Sequence, residues 1–225
     1  MLNFKGVIFD LDGTLVDTIA DLAAAGNYGL EANGFAPVEP DSYRYHVGTG
    51  MRNLAKNVLA ASLAVAPKTV ANKEETIGSI YTAINQYYDK NWHNLSKPYP
   101  GIKELLAELL QRQIPFAVCS NKPDAFVKEM IAFYFNGIEF VDTIGPGDVM
   151  PLKPDPTGPL WLAEKMNLQP ANIVFCGDTK IDMQTAAAAG MFACGVNWGF
   201  RPKQELMEHG AGRIIDNASE LLDLF

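Results

Sequence analysis

The apolar positions of this chain change period twice. Lys5-Gly-Val-Ile-Phe9 is a short unbroken apolar run that stops at Asp10 and Asp12, the pattern of a strand buried on both faces of a parallel sheet. Ile19, Leu22, Ala23 and Leu30 then recur at helical spacing, with Thr18 and Asp21 resembling a capping box and Gly34 placed to end the helix. From Val38 to about Lys97 no buried-strand run occurs. Leu54, Val58 and Leu59, and later Ile77, Ile80, Tyr81, Ile84 and Tyr88, follow the helical period, so this stretch is predicted to be all-helical.

After Pro98-Tyr-Pro-Gly101 the pattern alternates. Ile102, Leu105, Leu106 and Leu109 predict a helix, and Pro115 to Cys119 a strand. A helix around Ala125 to Phe133, a strand from Phe140 to Ile144 and a helix around Leu160 to Met166 follow, then strands from Ile173 to Cys176 and Phe192 to Val196. This is the spacing of βαβ units. The predicted fold class is α/β: a Rossmann-like parallel-sheet core formed by residues 1–15 and 98–225, interrupted by an all-helical inserted domain, residues 16–97.

Composition sharpens this picture. With 225 residues, 48% hydrophobic and 20% charged, the chain has the make-up of a folded protein and not of a disordered, collagen-like or disulfide-stapled one. Cys119, Cys176 and Cys194 lie in or beside strand-like runs with no CxxC spacing, which predicts buried reduced thiols and a cytoplasmic location. No apolar run approaches the roughly 18 residues of a bilayer span, and no signal peptide is expected. The net charge of −8 repels phosphate backbones and anionic lipid, so neither nucleic acid nor membrane is an expected partner. The insert carries 7 basic and 8 acidic residues and the core 11 and 18, which places the excess acid in the core.

Part of that acid is patterned. Asp10-Leu-Asp12-Gly-Thr14 directly follows the first strand, and in open α/β sheets ligands gather at the carboxyl ends of strands. A lone DxD motif is weak. A second pair, Asp178 and Asp182, follows another strand at a spacing that puts both carboxylates on one face of a helix beginning there. Like charges so close need a cation, and oxygen ligands without neighbouring His or Cys favour Mg²⁺ over Zn²⁺. Magnesium in turn suggests phosphate. Ser120-Asn121-Lys122 ends a third strand before a helix, a common anion site, and Lys153 sits among prolines that restrict its backbone. Singly, each has a bland explanation as a cap, loop or surface residue; together they describe a phosphoryl-transfer site.

These motifs, in this order, resemble the haloacid dehalogenase superfamily, in its phosphatase branch with a helical cap inserted after the first strand. Within that branch Val47-Gly-Thr-Gly50, Pro98-Tyr-Pro-Gly101, Ser120-Asn-Lys122 and Gly177-Asp-Thr-Lys-Ile-Asp-Met183 are similar to the phosphoglycolate phosphatase group. Cys119 before Ser120, and serine where threonine often stands, depart from the usual wording. The resemblance implies Asp10 as nucleophile, Asp12 as general acid and base, and Lys153, Ser120 and Asn121 as ligands of the phosphoryl group. It further implies Mg²⁺ held by Asp10, the backbone carbonyl of Asp12 and Asp178, with Asp182 supporting or ligating. In the cap, His46, Thr49, Gly50 and Arg52 are the candidates for contact with the leaving group of a small phosphorylated metabolite, 2-phosphoglycolate first. A sugar phosphate mutase, a broad-specificity phosphatase and a non-catalytic phospho-ligand binder are the alternatives, and the expected assembly is a monomer or homodimer.

Overall fold

The computed structural model describes residues 4–147 and 150–225. The chain divides into two compact units, Met1–Asp17 with Pro98–Phe225, and Thr18–Lys97. The first unit therefore keeps Val16 and Asp17, two residues more than the apolar pattern assigned to it. Val16 is fully buried, and its N–H donates to Leu11 O at 3.0 Å, which ties this short stretch to the end of the first strand.

The first unit is built on a six-stranded sheet in the order β5-β4-β1-β6-β7-β8. These strands are β1 (Gly6–Phe9), β4 (Phe116–Cys119), β5 (Thr143–Ile144), β6 (Ile173–Gly177), β7 (Phe192–Val196) and β8 (Arg213–Ile215), and all their pairings are parallel. Val7, Ile8, Phe9, Val118, Val174 and Phe175 are 0–1% exposed, which accounts for the unbroken apolar runs: both faces of these strands are covered. The covering helices are α4 (Ile102–Gln111), α5 (Asp124–Tyr134), α6 (Thr157–Met166), α7 (Lys180–Ala189) and α8 (Lys203–Glu208). The helix α4 buries Ile102, Leu105, Leu106 and Leu109, the four positions its period predicts.

Two local expectations are corrected, and one strand is added. The predicted strand Phe140–Ile144 is regular only at Thr143–Ile144, while the Phe140 ring packs on Phe116 and Phe135, at centroid distances of 4.9 and 6.0 Å. A short edge strand is also the form that resists pairing with other chains. The strand β8 escaped the sequence reading because its three residues are too few to show a period. Thr18 makes no side-chain cap, and Asp21 does not close a capping box: its carboxylate accepts from the N–H groups of Leu95 (3.0 Å) and Ser96 (2.8 Å) and from the Ser96 hydroxyl (2.6 Å). Asp21 thus joins the two ends of the insert instead of capping a helix.

The second unit is helical, with α1 (Ile19–Ala32), α2 (Met51–Val65), α3 (Lys73–Asn91) and a 3-10 turn at Pro40–Tyr45. Ile77, Ile80, Ile84 and Tyr88 form the buried stripe of α3, while Tyr81 at its margin is half-buried. Asn72 caps α3 by accepting from the Glu75 N–H at 3.2 Å. The short strands β2 (Val16–Asp17) and β3 (Lys97–Pro98) pair with each other as a separate two-stranded sheet.

Candidate active site

The strands β4, β1 and β6 lie side by side, and each ends in residues the sequence singled out: Ser120, Asp10 and Asp178. From β1 the chain fills one side of the sheet first and the other later, so the carboxyl end of β1 lies at the reversal of strand order, where open α/β sheets bind their ligands.

Asp10 continues β1, its N–H donating to Cys176 O at 2.9 Å. Its Oδ1 accepts from the Leu11 N–H at 2.7 Å and lies 2.9 Å from Lys153 Nζ. The backbone then folds back, with Leu11 O accepting from the N–H groups of Leu15 and Val16, both at 3.0 Å. Gly13 serves this turn in two ways: its φ is +83°, and a Cβ there would collide with the Asp178 carboxylate.

Asp178 is fully buried. Its Oδ1 accepts from the Thr14 hydroxyl at 3.2 Å and its Oδ2 from the Phe200 N–H at 2.7 Å. Gly199 packs directly on Asp178 and on Gly13 O, leaving no room for a side chain, and the Trp198 indole N–H donates to Thr14 O at 3.1 Å. The motifs of the sequence give the loop Trp198-Gly-Phe200 no part in the site. The signal available was its place: it follows a strand whose neighbour ends in Asp178.

Asp178 precedes α7, so it and Asp182 do not meet on one helix face as their spacing suggested. They converge because Asp182, in the first turn of α7, reaches back: its Oδ2 accepts from the Thr179 N–H (3.0 Å) and hydroxyl (2.7 Å), and its Oδ1 lies 2.6 Å from Lys153 Nζ. Lys153 is held at its backbone too. Its N–H donates to Asn121 Oδ1 at 2.7 Å and its carbonyl accepts from Asn121 Nδ2 at 3.1 Å, so the Asn121 side chain clamps the proline-flanked loop. The Ser120 hydroxyl accepts from the Lys122 N–H at 3.2 Å. Lys122, quoted in its motif but given no role, directs its ammonium at both oxygens of Asp12, at 3.0 and 3.1 Å.

One oxygen from each of Asp10, Asp178 and Asp182 falls within a group spanning at most 4.8 Å. Together with Asp12 there are four carboxylates against the two ammonium groups of Lys122 and Lys153, so full ionisation would leave two negative charges unpaired in a largely buried setting. This crowding shifts the pKa values of the group. Burial, opposed by Lys153 and reinforced by Asp182, pushes the Asp10 carboxyl up to about 7. Burial, with Asp182 and Asp10 adding, raises Asp178 well above the usual carboxylate range. Burial disfavours the Lys153 ammonium, yet Asp10 and Asp182 outweigh it and the net shift is upward. Burial, opposed by Lys153, pushes the Cys119 thiol up to about 12, which favours its protonated form. Oxygen donors and a charge excess of two suit a hard divalent cation.

The candidates in the insert gather at the entry to α2. Gly50 precedes it with φ +93°, the Thr49 carbonyl accepts from Asn53 Nδ2 at 2.8 Å, and the His46 carbonyl accepts from Asn57 Nδ2 at 3.1 Å. The His46 ring meets the Tyr43 ring edge-on and lies 3.5 Å from the Ser42 hydroxyl. Arg52 pairs with Glu74 at 3.2 Å, both side chains being well exposed.

Comparison with known proteins agrees with this arrangement. A phosphoglycolate phosphatase of Vibrio vulnificus is 34% identical over 223 residues, covering 99% of this chain and 96% of the relative. Phosphoglycolate phosphatase 1 of Pseudomonas aeruginosa is 33% identical over 217 residues, covering 96% and 78% respectively. A crystal structure of a protein described as a predicted phosphoglycolate phosphatase from Haemophilus somnus superposes with a TM-score of 0.90 at 28% identity, covering 100% of this chain and 99% of that one. The sequence model of the haloacid dehalogenase-like hydrolases matches residues 7–196, from the strand that delivers Asp10 to the end of β7, and the chain belongs to that family.

Proposed function

We propose that this chain is a Mg²⁺-dependent phosphatase that moves the phosphoryl group of a small phosphate monoester first to Asp10 and then to water. The observation that carries the reading is the meeting of Asp10, Asp178 and Asp182 beside Lys153 at the carboxyl ends of adjacent parallel strands. Asp10, Asp178 and the backbone carbonyl of Asp12 would hold the ion, since Asp182 is already committed to Lys153 and Thr179. When bound, Mg²⁺ would offset the excess negative charge and draw the phosphoryl oxygens toward Asp10.

The Asp10 carboxylate attacks phosphorus, in the manner of carboxylate nucleophiles that split one displacement into two. The Ser120 hydroxyl, the Asn121 N–H and the Lys153 ammonium receive the phosphoryl oxygens, and the stabilisation they offer is mainly electrostatic. Asp12 protonates the leaving alkoxide and then takes a proton from the attacking water. The helical insert, residues 16–97 in the sequence reading, acts as a cap that closes to exclude bulk water and opens to release product. His46, Thr49, Gly50 and Arg52 are its candidate contacts with the leaving group.

The substrate supported best is 2-phosphoglycolate, on the strength of relatives called phosphoglycolate phosphatases that match 96–99% of this chain at 33–34% identity. Phosphate release should be measured from 2-phosphoglycolate, a panel of sugar phosphates and p-nitrophenyl phosphate, with Mg²⁺ and after chelation. The reading expects Mg²⁺-dependent release and a higher kcat/KM on 2-phosphoglycolate than on any sugar phosphate. Equal use of all substrates would remove the substrate assignment, and undiminished release after chelation would remove the metal.

A further inference from the structure

We infer that Lys122 is the positioning residue for Asp12, holding that carboxylate in the place where it meets the leaving group. The inference rests on Asp12 being the acid–base group of a phosphatase.

Asp12 sits in the turn after β1, in an isolated bridge with Val16, and Lys122 gives its carboxylate a direction. Its ammonium lies 3.0 Å from one Asp12 oxygen and 3.1 Å from the other, a nearly symmetric contact, and the Lys122 side chain is 2% exposed against 17% for Asp12. The lysine is thus the more deeply buried member of the pair and the aspartate the more exposed one.

The rest of Lys122 is anchored as firmly. Its N–H donates to the Ser120 hydroxyl at 3.2 Å, immediately after β4. Its carbonyl packs against Gly145 so tightly that a Cβ there has no room, and the Gly145 N–H in turn donates to Asp124 Oδ1 at 3.1 Å. The Lys122 backbone is therefore set by the ends of β4 and β5, and its ammonium reaches Asp12 from that anchor. The other buried ammonium, Lys153, is shared between Asp10 and Asp182. Each lysine thus serves its own carboxylates, Lys153 the nucleophile and metal side, Lys122 the proton-transfer side.

A buried ion pair is seldom a net source of stability, so a stabilising role alone is a poor account of a lysine in this place. Holding a proton donor within reach of the departing oxygen is a better one, because small misplacements of a reacting group cost large factors in rate.

The test exploits the leaving group. Alkoxide departure needs a proton from Asp12, whereas p-nitrophenolate leaves without one. Single-turnover release of the alcohol is to be measured with enzyme in excess, for an alkyl phosphomonoester and for p-nitrophenyl phosphate, in wild type, Lys122→Met, Lys122→Arg, Asp12→Asn and the Lys122→Met/Asp12→Asn double variant. Since general acid catalysis contributes about 10²- to 10⁴-fold, Lys122→Met should slow alkyl release roughly 10-fold or more and aryl release less than about 2-fold. Lys122→Arg should recover much of the alkyl rate. In the Asp12→Asn background, Lys122→Met should cost less than about 2-fold further, because the two residues act as one unit. The alkyl-to-aryl ratio is taken within one preparation, so a partly inactive variant does not distort it, and Lys122→Gln replaces Lys122→Met should the latter not fold. Equal losses on both substrates, or an undiminished Lys122 effect without Asp12, would overturn the inference and leave the phosphatase reading standing. Failure of the wild type on both substrates would instead sink that reading.

Discussion

Asp182 receives the Lys153 ammonium at 2.6 Å on one oxygen while its other oxygen takes the Thr179 N–H at 3.0 Å, so a single carboxylate both starts α7 and aims the lysine at Asp10. Removing Asp182 takes away the acceptor of the Thr179 N–H and one of the two carboxylates that meet Lys153, which keeps Asp10. Asp182→Ala should therefore destabilise the protein by about 1 kcal/mol, the scale of a lost helix cap, measured by urea unfolding, and Asp182→Asn, which keeps an acceptor for Thr179, by less.

Asp10→Asn should fold and lose turnover, because an amide cannot attack phosphorus. Labelled phosphate trapped from a slow substrate should appear on the peptide containing Asp10 in the wild type. Label on any other peptide would refute the assignment.

Stability of the metal-free protein should fall as pH rises from about 4 through about 7. The folded Asp10 carboxyl holds its proton up to about 7, well above its unfolded value near 3.8, so the folded state binds the extra proton and loses that advantage as the proton leaves. Asp178 shifts in the same direction. Mg²⁺, competing with protons for the same oxygens, should raise Tm more at pH 8 than at pH 5. A Mg²⁺ effect that is larger at pH 5 would contradict this linkage.

Gly199→Ala should act on the metal without touching it. The new methyl would press on Asp178 and on the Gly13 carbonyl, displacing a carboxylate that Phe200 and Thr14 now hold. A roughly tenfold or greater loss in Mg²⁺ affinity is expected, on the scale of residues that orient metal ligands, with activity partly restored at high Mg²⁺. Unchanged titration calorimetry would show that the loop does not position Asp178.

Arg52 tests the proposed cap. A substrate carboxylate would have to draw it from Glu74, an exposed partner 3.2 Å away whose hold is weak. Arg52→Ala should lower kcat/KM on 2-phosphoglycolate more than on p-nitrophenyl phosphate, and Glu74→Gln should not harm either. Equal losses from Arg52→Ala would take Arg52 out of the substrate site.

Much of the site was legible because its chemistry is local. Asp10 and Asp178 stand at the ends of apolar runs whose continuity marks central parallel strands, and Lys153 stands out between its prolines. Lys122 was not legible, since a lysine after Ser-Asn looks like any solvated loop charge until Asp12, 110 residues away, is seen beside it. The same holds for Phe200, whose contribution is a backbone N–H and leaves no trace in residue type. Asp21 misled for a related reason: a capping pattern is a local signal, and the distant N–H groups of Leu95 and Ser96 outbid it.

The sequence by itself determined the period of each element, hence an alternating α/β core around a helical insert, and the residue types able to carry phosphoryl chemistry. Periodicity reports which faces are buried and nothing about what they are buried against. Tertiary structure decided the partners: which ammonium meets which carboxylate, that Asn121 clamps Lys153, and that the Trp198–Phe200 loop braces Asp178. Those pairings depend on the order of strands in the sheet, and that order brings together residues whose separation along the chain carries no signal of their contact.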